Sequence, residues 1–553
     1  SMSKAELHRK FLEEDIYGID IMHFASHMSS MNLTAQNIEV GLKPHVLSQD
    51  GIKTMIESAG EENVADDPPR TAEQPLTRWL EAMKEERIPK DFDVVIMNPP
   101  FTRRERIPAK KEELEKLVPE VKGKTGYWAY FVVAADKLLK EKGTMAIVIP
   151  EEFFAGASAE SVRRYLIESG FTINFILKSS VEPAFSEAAH YRDYLIVLRK
   201  QRKMPLIICI LKESLSKMNL EKITQEIWKF ESSLKSEMKN EKIEMIKKLE
   251  SEELIKTYIQ NLKPLISFSN VKSINLMLEL LDELKNHPTL SDLGKQGLIK
   301  IRAYNPGQFR TRGVESLARK LFAAKYSTRS PNVVFLLTEV NSRHAYITIK
   351  KTKTSFKIPL NATVPSLRSY SNVKRMDITS EEEAAIIRIE DLPEEIIRLT
   401  GMMPKINVKK AMSDINEAYK ALSSNVLLTR RVRLTSPNLY WTAFYSDNLT
   451  ISNAVLLNAR TTDKTLARLL TIYLNSILTL AQLLAFVTET EGGWVDLHGV
   501  QEWGLVRIPF IEKLDTKIVN KALMLFKRIG KLDVRPLFER VKSHDPIQRE
   551  IDE

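Results

Sequence analysis

Residues 91–101 read Asp-Phe-Asp-Val-Val-Ile-Met-Asn-Pro-Pro-Phe, and no other stretch restricts the fold as much. Val94 to Met97 is a short unbroken apolar run, the pattern of a buried central strand in a parallel sheet. Pro99 and Pro100 then fix their own φ angles and force the residue before each into an extended conformation. The Asn98 side chain and the Pro99 carbonyl are therefore held in one geometry at the C-terminal end of a strand. Open α/β sheets place their ligands there.

Those two groups suit one kind of reaction. The exocyclic amine of adenine is a weak nucleophile, because its lone pair is delocalised into the ring. Two acceptors that take its two hydrogens favour a tetrahedral nitrogen with a usable lone pair. The Asn98 side-chain oxygen and the Pro99 carbonyl are two such acceptors on adjacent residues. Phe101 adds a flat face on which an extruded base can stack. The plainer use of the same residues is a Pro-Pro turn with Phe101 in the core. An apolar strand directly in front favours the functional reading.

Asn98-Pro99-Pro100-Phe101 resembles the catalytic motif of N6-adenine DNA methyltransferases. Its flanking sequence resembles the methylases of type I and related restriction-modification systems. The resemblance implies an α/β, Rossmann-like methyltransferase domain dependent on S-adenosylmethionine (AdoMet). It implies methyl transfer to adenine N6 in a specific duplex sequence, with double-stranded DNA as partner. Asn98, Pro99, Pro100 and Phe101 are then the catalytic residues, and Asn98 also faces the cofactor. Residues 16–21 read as a strand ending in an acid, and Asp20 suits the ribose hydroxyls of a nucleotide. Gly18-Ile19-Asp20-Ile21 resembles the matching stretch of the family, which adds Ile21 to the cofactor contacts. A helix N-cap is the ordinary use of Asp20. Family members carry a carboxylate after the third strand against the AdoMet adenine. Asp50 fits that place, although Asp-Gly is also a common turn. Family members often set a further aromatic against the flipped base, and Phe185 is the candidate, with core packing as its alternative.

The same resemblance raises an expectation about the first strand. Methyltransferases of this kind carry a glycine loop after it, around the AdoMet methionine. No Phe/Pro-x-Gly-x-Gly text precedes Asp20, and residues 1–15 read as the helix that follows such a loop. In a doubly wound sheet that strand lies between the Asp20 strand and the Asn98 strand. Leaving it out strands two rows of backbone groups, at roughly 1–3 kcal/mol each. The expectation is a split or shortened methylase. A second methylase or specificity polypeptide would supply the strand, the loop and a helical N-terminal domain.

Further along, residues 76–87 and 128–140 read as helices and 143–150 as a strand. Residues 102–124 read as a charged loop over the site or, equally, as a solvated helix plus loop, and 161–169 as a helix. Strands at 171–177 and 194–198 read as the antiparallel pair that closes such a sheet. The domain plan is a methyltransferase domain over 1–200, its first strand and glycine loop missing. A helical connector over 201–288 follows, Lys/Glu-rich with apolar residues at helical spacing. An α+β domain over 289–515 resembles DNA target-recognition domains, with strands near 333–337, 345–350, 425–431 and 506–509. A charged helical tail covers 516–553. Within 428–434, Arg430, Arg431 and Arg433 on a β-branched strand suit a phosphate backbone. An edge strand charged against aggregation is the alternative.

Composition narrows the remaining choices. A net charge of +10 and a pI of about 9.2 are compatible with a polyanionic partner. The single cysteine, Cys209, rules out an internal disulfide and any cysteine-based zinc site, and its apolar neighbours predict a buried strand thiol. A reducing, cytoplasmic setting fits. No metal-ligand spacing, P-loop or Ser/His/Asp arrangement occurs. Residues 469–487 are uncharged and long enough to span a membrane, but Thr471, Asn475, Ser476, Thr479 and Gln482 predict a buried helix or helix pair. Two other classes stay open: a recognition subunit without catalysis, and an amino-methyltransferase acting on RNA or protein.

Overall fold

The computed structural model describes residues 3–36, 42, 44–59, 89–101, 111–123, 125–155, 159–181, 185, 193–201, 203–248, 261–303, 322–324, 335–349, 352–380, 383–386, 419–452, 455–490, 494–497 and 500–553. It divides into two units, Ser1–Asn275 and Leu276–Glu553.

The first unit opens with α1 (Lys4–Lys10), β1 (Tyr17–Asp20) and α2 (His23–Ala35). Then come β2 (His45–Ser48), α3 (Gly51–Ala59), β3 (Phe92–Met97), α4 (Lys111–Leu117) and α5 (Trp128–Asp136). Next are β4 (Leu139–Pro150), α6 (Glu160–Glu168), β5 (Phe171–Ser179), β6 (Asp193–Lys200) and β7 (Leu206–Leu211). The unit continues through α7 (Leu220–Glu231), β8 (Glu237–Lys239) and β9 (Ile243–Lys248). Strands β1 and β2 pair in parallel as a sheet of their own. The other seven form a mixed sheet in the order β3-β4-β6-β5-β7-β9-β8. β3 runs parallel to β4 with Val94 opposite Thr144 and Ile96 opposite Ala146. β6 is antiparallel to both β4 and β5, the expected closing pair.

Three expectations need correction here. β3 was expected in the middle of the sheet, but among the described strands nothing pairs its outer edge, and Val94 and Ile96 are exposed. The helix expected to reach Lys140 stops at Asp136, and β4 begins at Leu139. Lys142 at φ 64 and Gly143 turn the chain there. A Cβ on Gly143 would meet the Lys140 carbonyl at 2.9 Å, so only glycine fits. The expected helical connector has helices at Leu220–Glu231 and Val271–Glu283, but it also supplies β7, β8 and β9 to the mixed sheet. β7 is buried along its whole length, and β9 pairs with it, Ile208 facing Ile246. Lys and Glu at alternate positions mimic a solvated helix, but on β9 they are paired. Glu244 accepts from Lys212 and Lys239 at 2.9 Å each and from the Val271 amide at 3.1 Å. Burial works against its charge, yet these bonds hold its carboxyl down at about 2.

Helix α8 (Val271–Glu283) carries the chain onward. The second unit then has α9 (Leu290–Lys295), β10 (Ile299–Ala303), β11 (Phe322–Ala324), β12 (Phe335–Val340) and β13 (His344–Ile349). β14 (Ser355–Pro359), β15 (Thr363–Leu367), β16 (Glu383–Ile386), β17 (Ser424–Thr429), β18 (Arg431–Val432), β19 (Ala443–Ser452) and β20 (Leu456–Thr461) follow. The last part has α10 (Lys464–Tyr473), α11 (Ile477–Phe486), β21 (Thr488–Thr490), β22 (Trp494–Asp496), α12 (Val500–Gly504), α13 (Thr516–Ile529), α14 (Leu537–Ser543) and α15 (Pro546–Asp552). Ten strands form one sheet in the order β10-β20-β17-β19-β15-β16-β11-β12-β13-β14, and β18-β22-β21 form a small second one. The expected strand at 506–509 is reduced to a single bridge between Thr289 and Arg507.

Helices α10 and α11 are the expected helix pair, bent by 72° at Leu474–Ser476. Among the described residues no single helix is long and apolar enough to cross a membrane. The region expected to be a charged tail packs instead into the core of this unit through Phe526, Ile529, Val534, Leu537 and Ile551. Its charges lie on the outer faces of amphipathic helices, so composition alone misjudged it. The expected helix over 76–87, and residues 102–110 of the expected loop, lie outside the described residues.

Candidate active site

The site is a cavity of about 650 Å³ between β1 and β3, inside the range of small-molecule sites. Tyr17 to Asp20 form one wall and Phe92 with Val94 to Met97 the other, with Asn98, Pro99 and Pro100 at the end. The two strands run the same way. At their starts the Tyr17 and Phe92 rings meet edge-on at 5.7 Å, and at their ends Asp20 and Asn98 reach the same cavity.

Each acid is fixed by the turn that follows it. Asp20 Oδ1 accepts from the Met22 amide at 2.7 Å, and the Asp20 carbonyl accepts from the Gln49 amide at 3.1 Å. Asp50 Oδ1 accepts from the Ile52 and Lys53 amides at 3.0 and 3.1 Å. Asp50 directly precedes α3, whereas Asp20 ends β1 and holds the Met22 amide just ahead of α2, and both acids face the cavity. Their second carboxylate oxygens suit hydroxyl or amine donors on a ligand. Ile21 lies on the same rim and is exposed.

Gly51, Met55, Tyr127 and Phe131 are among the wall residues that carried no functional expectation. Tyr127 stands edge-on to Phe131 at 5.3 Å. Burial, and then the Asp50 carboxylate, push the Tyr127 phenol up to about 12, so it remains a protonated donor. A Cβ on Gly51 would approach Phe131 at 3.0 Å, so glycine lets α3 seat against α5. The signal for these residues was the aromatic opening of α5, which by itself reads as core.

The other expected residues fall elsewhere. Phe101 follows Pro100, is half-buried, and is not part of the cavity wall. Phe185 packs against the core around Leu177, Ile207 and Cys209, and its amide donates to the Asp193 carboxylate. It is not placed to stack on a base in this cavity, because the apolar face of β5 and β7 takes its ring. Cys209 is buried, and burial raises its thiol to about 12. In the second unit, Arg430 is tied at both backbone ends, its amide to the Val455 carbonyl and its carbonyl to the Leu497 amide. Val432 points inward while Arg431 and Arg433 point out, and the Arg431 guanidinium lies over the Trp494 ring at 5.3 Å. The long basic strand expected at 428–434 is therefore two pieces: buried β17 and short β18.

A parallel pair with acids following its two strands, beside a mixed sheet whose β3 ends in Asn-Pro-Pro, is an α/β arrangement of the methyltransferase kind. Residues 14–185 match the family model of the Eco57I restriction-modification methylase. No match is found among curated proteins. Among solved structures, the type IIG restriction endonuclease BpuSI is similar at 13% identity and TM-score 0.39, over 98% of this chain and 58% of that one. The type IIL restriction-modification enzyme MmeI, solved with DNA, is similar at 13% identity and TM-score 0.45, over 97% and 62%. A type I methyltransferase subunit from Streptococcus thermophilus shares 17% identity at TM-score 0.29, over 45% and 47%. The chain thus spans less than two thirds of the length of each.

Proposed function

We propose that the chain is a DNA methyltransferase of a restriction-modification system, transferring a methyl group from AdoMet to adenine N6. The observation that carries this reading is the single cavity that collects Asp20, Asp50 and the Asn98-Pro99-Pro100 turn. The match of residues 14–185 to a restriction-modification methylase family supports it. A cytoplasmic setting, where chromosomal DNA and the methyl donor meet, goes with it.

The residues present fit the cofactor. AdoMet supplies an electrophilic methyl group when bound. Asp20 would accept from the ribose hydroxyls, Asp50 from the adenine amine, and Tyr127 and Phe131 offer aromatic faces beside them. The Asn98 side-chain oxygen and the Pro99 carbonyl would take the two N6 hydrogens of a flipped adenine and orient its lone pair. Phe101 would stack on the base from just outside the cavity. Catalysis of this kind is positioning and electrostatics. No general base is invoked, and the N6 proton leaves to water. Among the described strands nothing pairs the outer edge of β3 beside the cavity, which supports a chain that works with a second polypeptide.

Methylation of duplex DNA by the full chain, alone and with that partner, with the modified base mapped, tests the reading. Asn98→Ala is expected to lower kcat by at least ~10²-fold, the scale for losing one oriented polar group. It should leave the thermal midpoint unchanged. A wild-type rate in Asn98→Ala would remove Asn98 from the mechanism.

A further inference from the structure

Helices α8 and α13 both carry an apolar side chain on the face turned to solvent. α8 turns Met277, Leu278 and Leu281 inward, and α13 turns Phe526 and Ile529 inward. On the outer faces, Leu276 is 65% exposed and Met524 72%. A lone exposed apolar side chain is ordinary. The charges set around these two are not. On α8, Glu279 and Glu283 follow Leu276 at i+3 and i+7, on one stripe. On α13, Lys521 and Lys517 precede Met524 by three and seven residues, again on one stripe. The spacing is the same, the direction is reversed and the sign is opposite. Laid antiparallel, Leu276 meets Met524, Glu279 meets Lys521 and Glu283 meets Lys517, over about 10 Å.

Both sets of charges also run against their own helices. Lys517 lies in the first turn of α13 and Glu283 in the last turn of α8, the ends where the helix dipole disfavours those signs. Neither helix is steadied by them, so their use lies outside it. Beside α13 runs a groove of about 1030 Å³, lined by Met524 and Leu525 with Lys517 and Lys521 of α13 and Glu550 of α15. Glu550 pairs with Arg528. Two turns of a helix about 10–12 Å across occupy roughly 850–1,200 Å³, so the groove has room for that much helix. The stretch from Leu276 to Glu283 is two turns long.

We infer that this chain self-associates, the α13 groove of one copy taking the acidic face of α8 from a second copy, antiparallel, with Leu276 on Met524. Charge selects this occupant over others. α13 carries four cations and no acid, so two α13 helices repel each other. A nucleic-acid duplex would meet the Glu550 carboxylate and would leave Met524 with nothing apolar to cover it. α8 brings an apolar centre and two carboxylates at the matching spacing. Each copy offers both a groove and an α8, so two such contacts about a two-fold axis close a dimer.

Sedimentation equilibrium of the full chain between about 1 and 100 µM tests this. The expected result is a monomer–dimer equilibrium that weakens as salt is raised. Lys517→Glu/Lys521→Glu and Glu279→Lys/Glu283→Lys should each lower the association constant by ~10-fold or more, because like charges then face each other. All four side chains are exposed, and each change agrees with its own helix dipole, so thermal midpoints should stay within ~2 °C of the wild type. An equimolar mixture of the two variants should dimerise again. The acidic groove of one then meets the basic α8 of the other, and the basic groove meets the acidic α8. A wild type that stays monomeric throughout would overturn the inference. So would a dimer that neither variant weakens, or two variants that fail to pair when mixed. If the wild type is monomeric and Lys517→Glu/Lys521→Glu instead weakens binding of a DNA duplex, the groove is a phosphate surface and the self-association is refuted. None of these readouts involves methyl transfer, so an inactive chain that still dimerises would refute only the proposed function.

Discussion

Asn475 holds together more of the second unit than any other single polar side chain described in it. Its Oδ1 accepts from the Thr442 amide at 2.8 Å, the Thr442 hydroxyl at 3.0 Å and the Ala443 amide at 3.1 Å. Its Nδ2 donates to the Ala443 carbonyl at 2.8 Å and the Thr471 carbonyl at 2.9 Å. One buried side chain thus fastens the elbow between α10 and α11 to the start of β19. Asn475→Ala leaves several buried backbone groups unpaired at about 1–3 kcal/mol each, so a loss of ~3 kcal/mol or more is expected. A fall in the urea midpoint at unchanged slope would show it, and an unchanged midpoint would contradict the hub. Asn475 was expected only as a polar residue in a buried helix pair. Four of its five bonds go to Thr442 and Ala443, 32 or 33 residues away, which local pattern does not reveal. That Asp20, Asp50 and Asn98 meet at one cavity was legible because each stands where an apolar strand meets a polar turn. Tyr127 and Phe131 were not, since an aromatic at the start of a helix reads as core. Phe185 is the reverse case, an aromatic with a plausible role that the core absorbs.

At the scale of elements, charge content misled more than hydrophobic pattern. β9 and the C-terminal helices carry many charges, and both were set outside the cores that they complete. Charges on a strand can be paired across the sheet, as Glu244 is, or turned outward, as on α13. The antiparallel pair β5 and β6 was legible because its apolar runs are long. β16 offers a test of a buried acid. Burial raises the Glu383 carboxyl from its ordinary 4.5 to about 7, against the opposing hydrogen bond from the Arg368 amide at 2.8 Å and the nearby Arg368 charge. Between those two values the folded chain keeps a proton that the unfolded chain gives up. The contribution to stability is whole below pH 4.5 and is lost as pH rises through about 7. Glu383→Gln, which cannot ionise, should therefore narrow the drop in thermal midpoint between about pH 5 and pH 8. An identical drop in both proteins would show that Glu383 does not titrate in that window.

At the scale of the molecule, the net charge of +10 carries a prediction about salt. Arg431 and Arg433 point outward from β18, and if they meet phosphates each contributes about 0.9 to the slope of log affinity against log salt. Titration of a duplex at several salt concentrations should show that slope falling by about 2 in Arg431→Ala/Arg433→Ala. An unchanged slope would move the phosphate contacts to another surface. The strand order of the second unit has a consequence of its own, in time. Among the described strands β10 is the first of that sheet to leave the ribosome, yet it pairs only with β20, Ile299 against Thr461. More than 150 residues separate the two, so at roughly 5–20 residues per second β10 waits on the order of ten seconds for its neighbour. Through that interval its backbone edge has no sheet to join, and it depends on chaperones or on its own short length to escape misassembly. Nascent chains stalled before Leu456 should be cut by protease near Ile299, and chains released past the end of α10 should not; equal cleavage of both would show that β10 finds an earlier shelter.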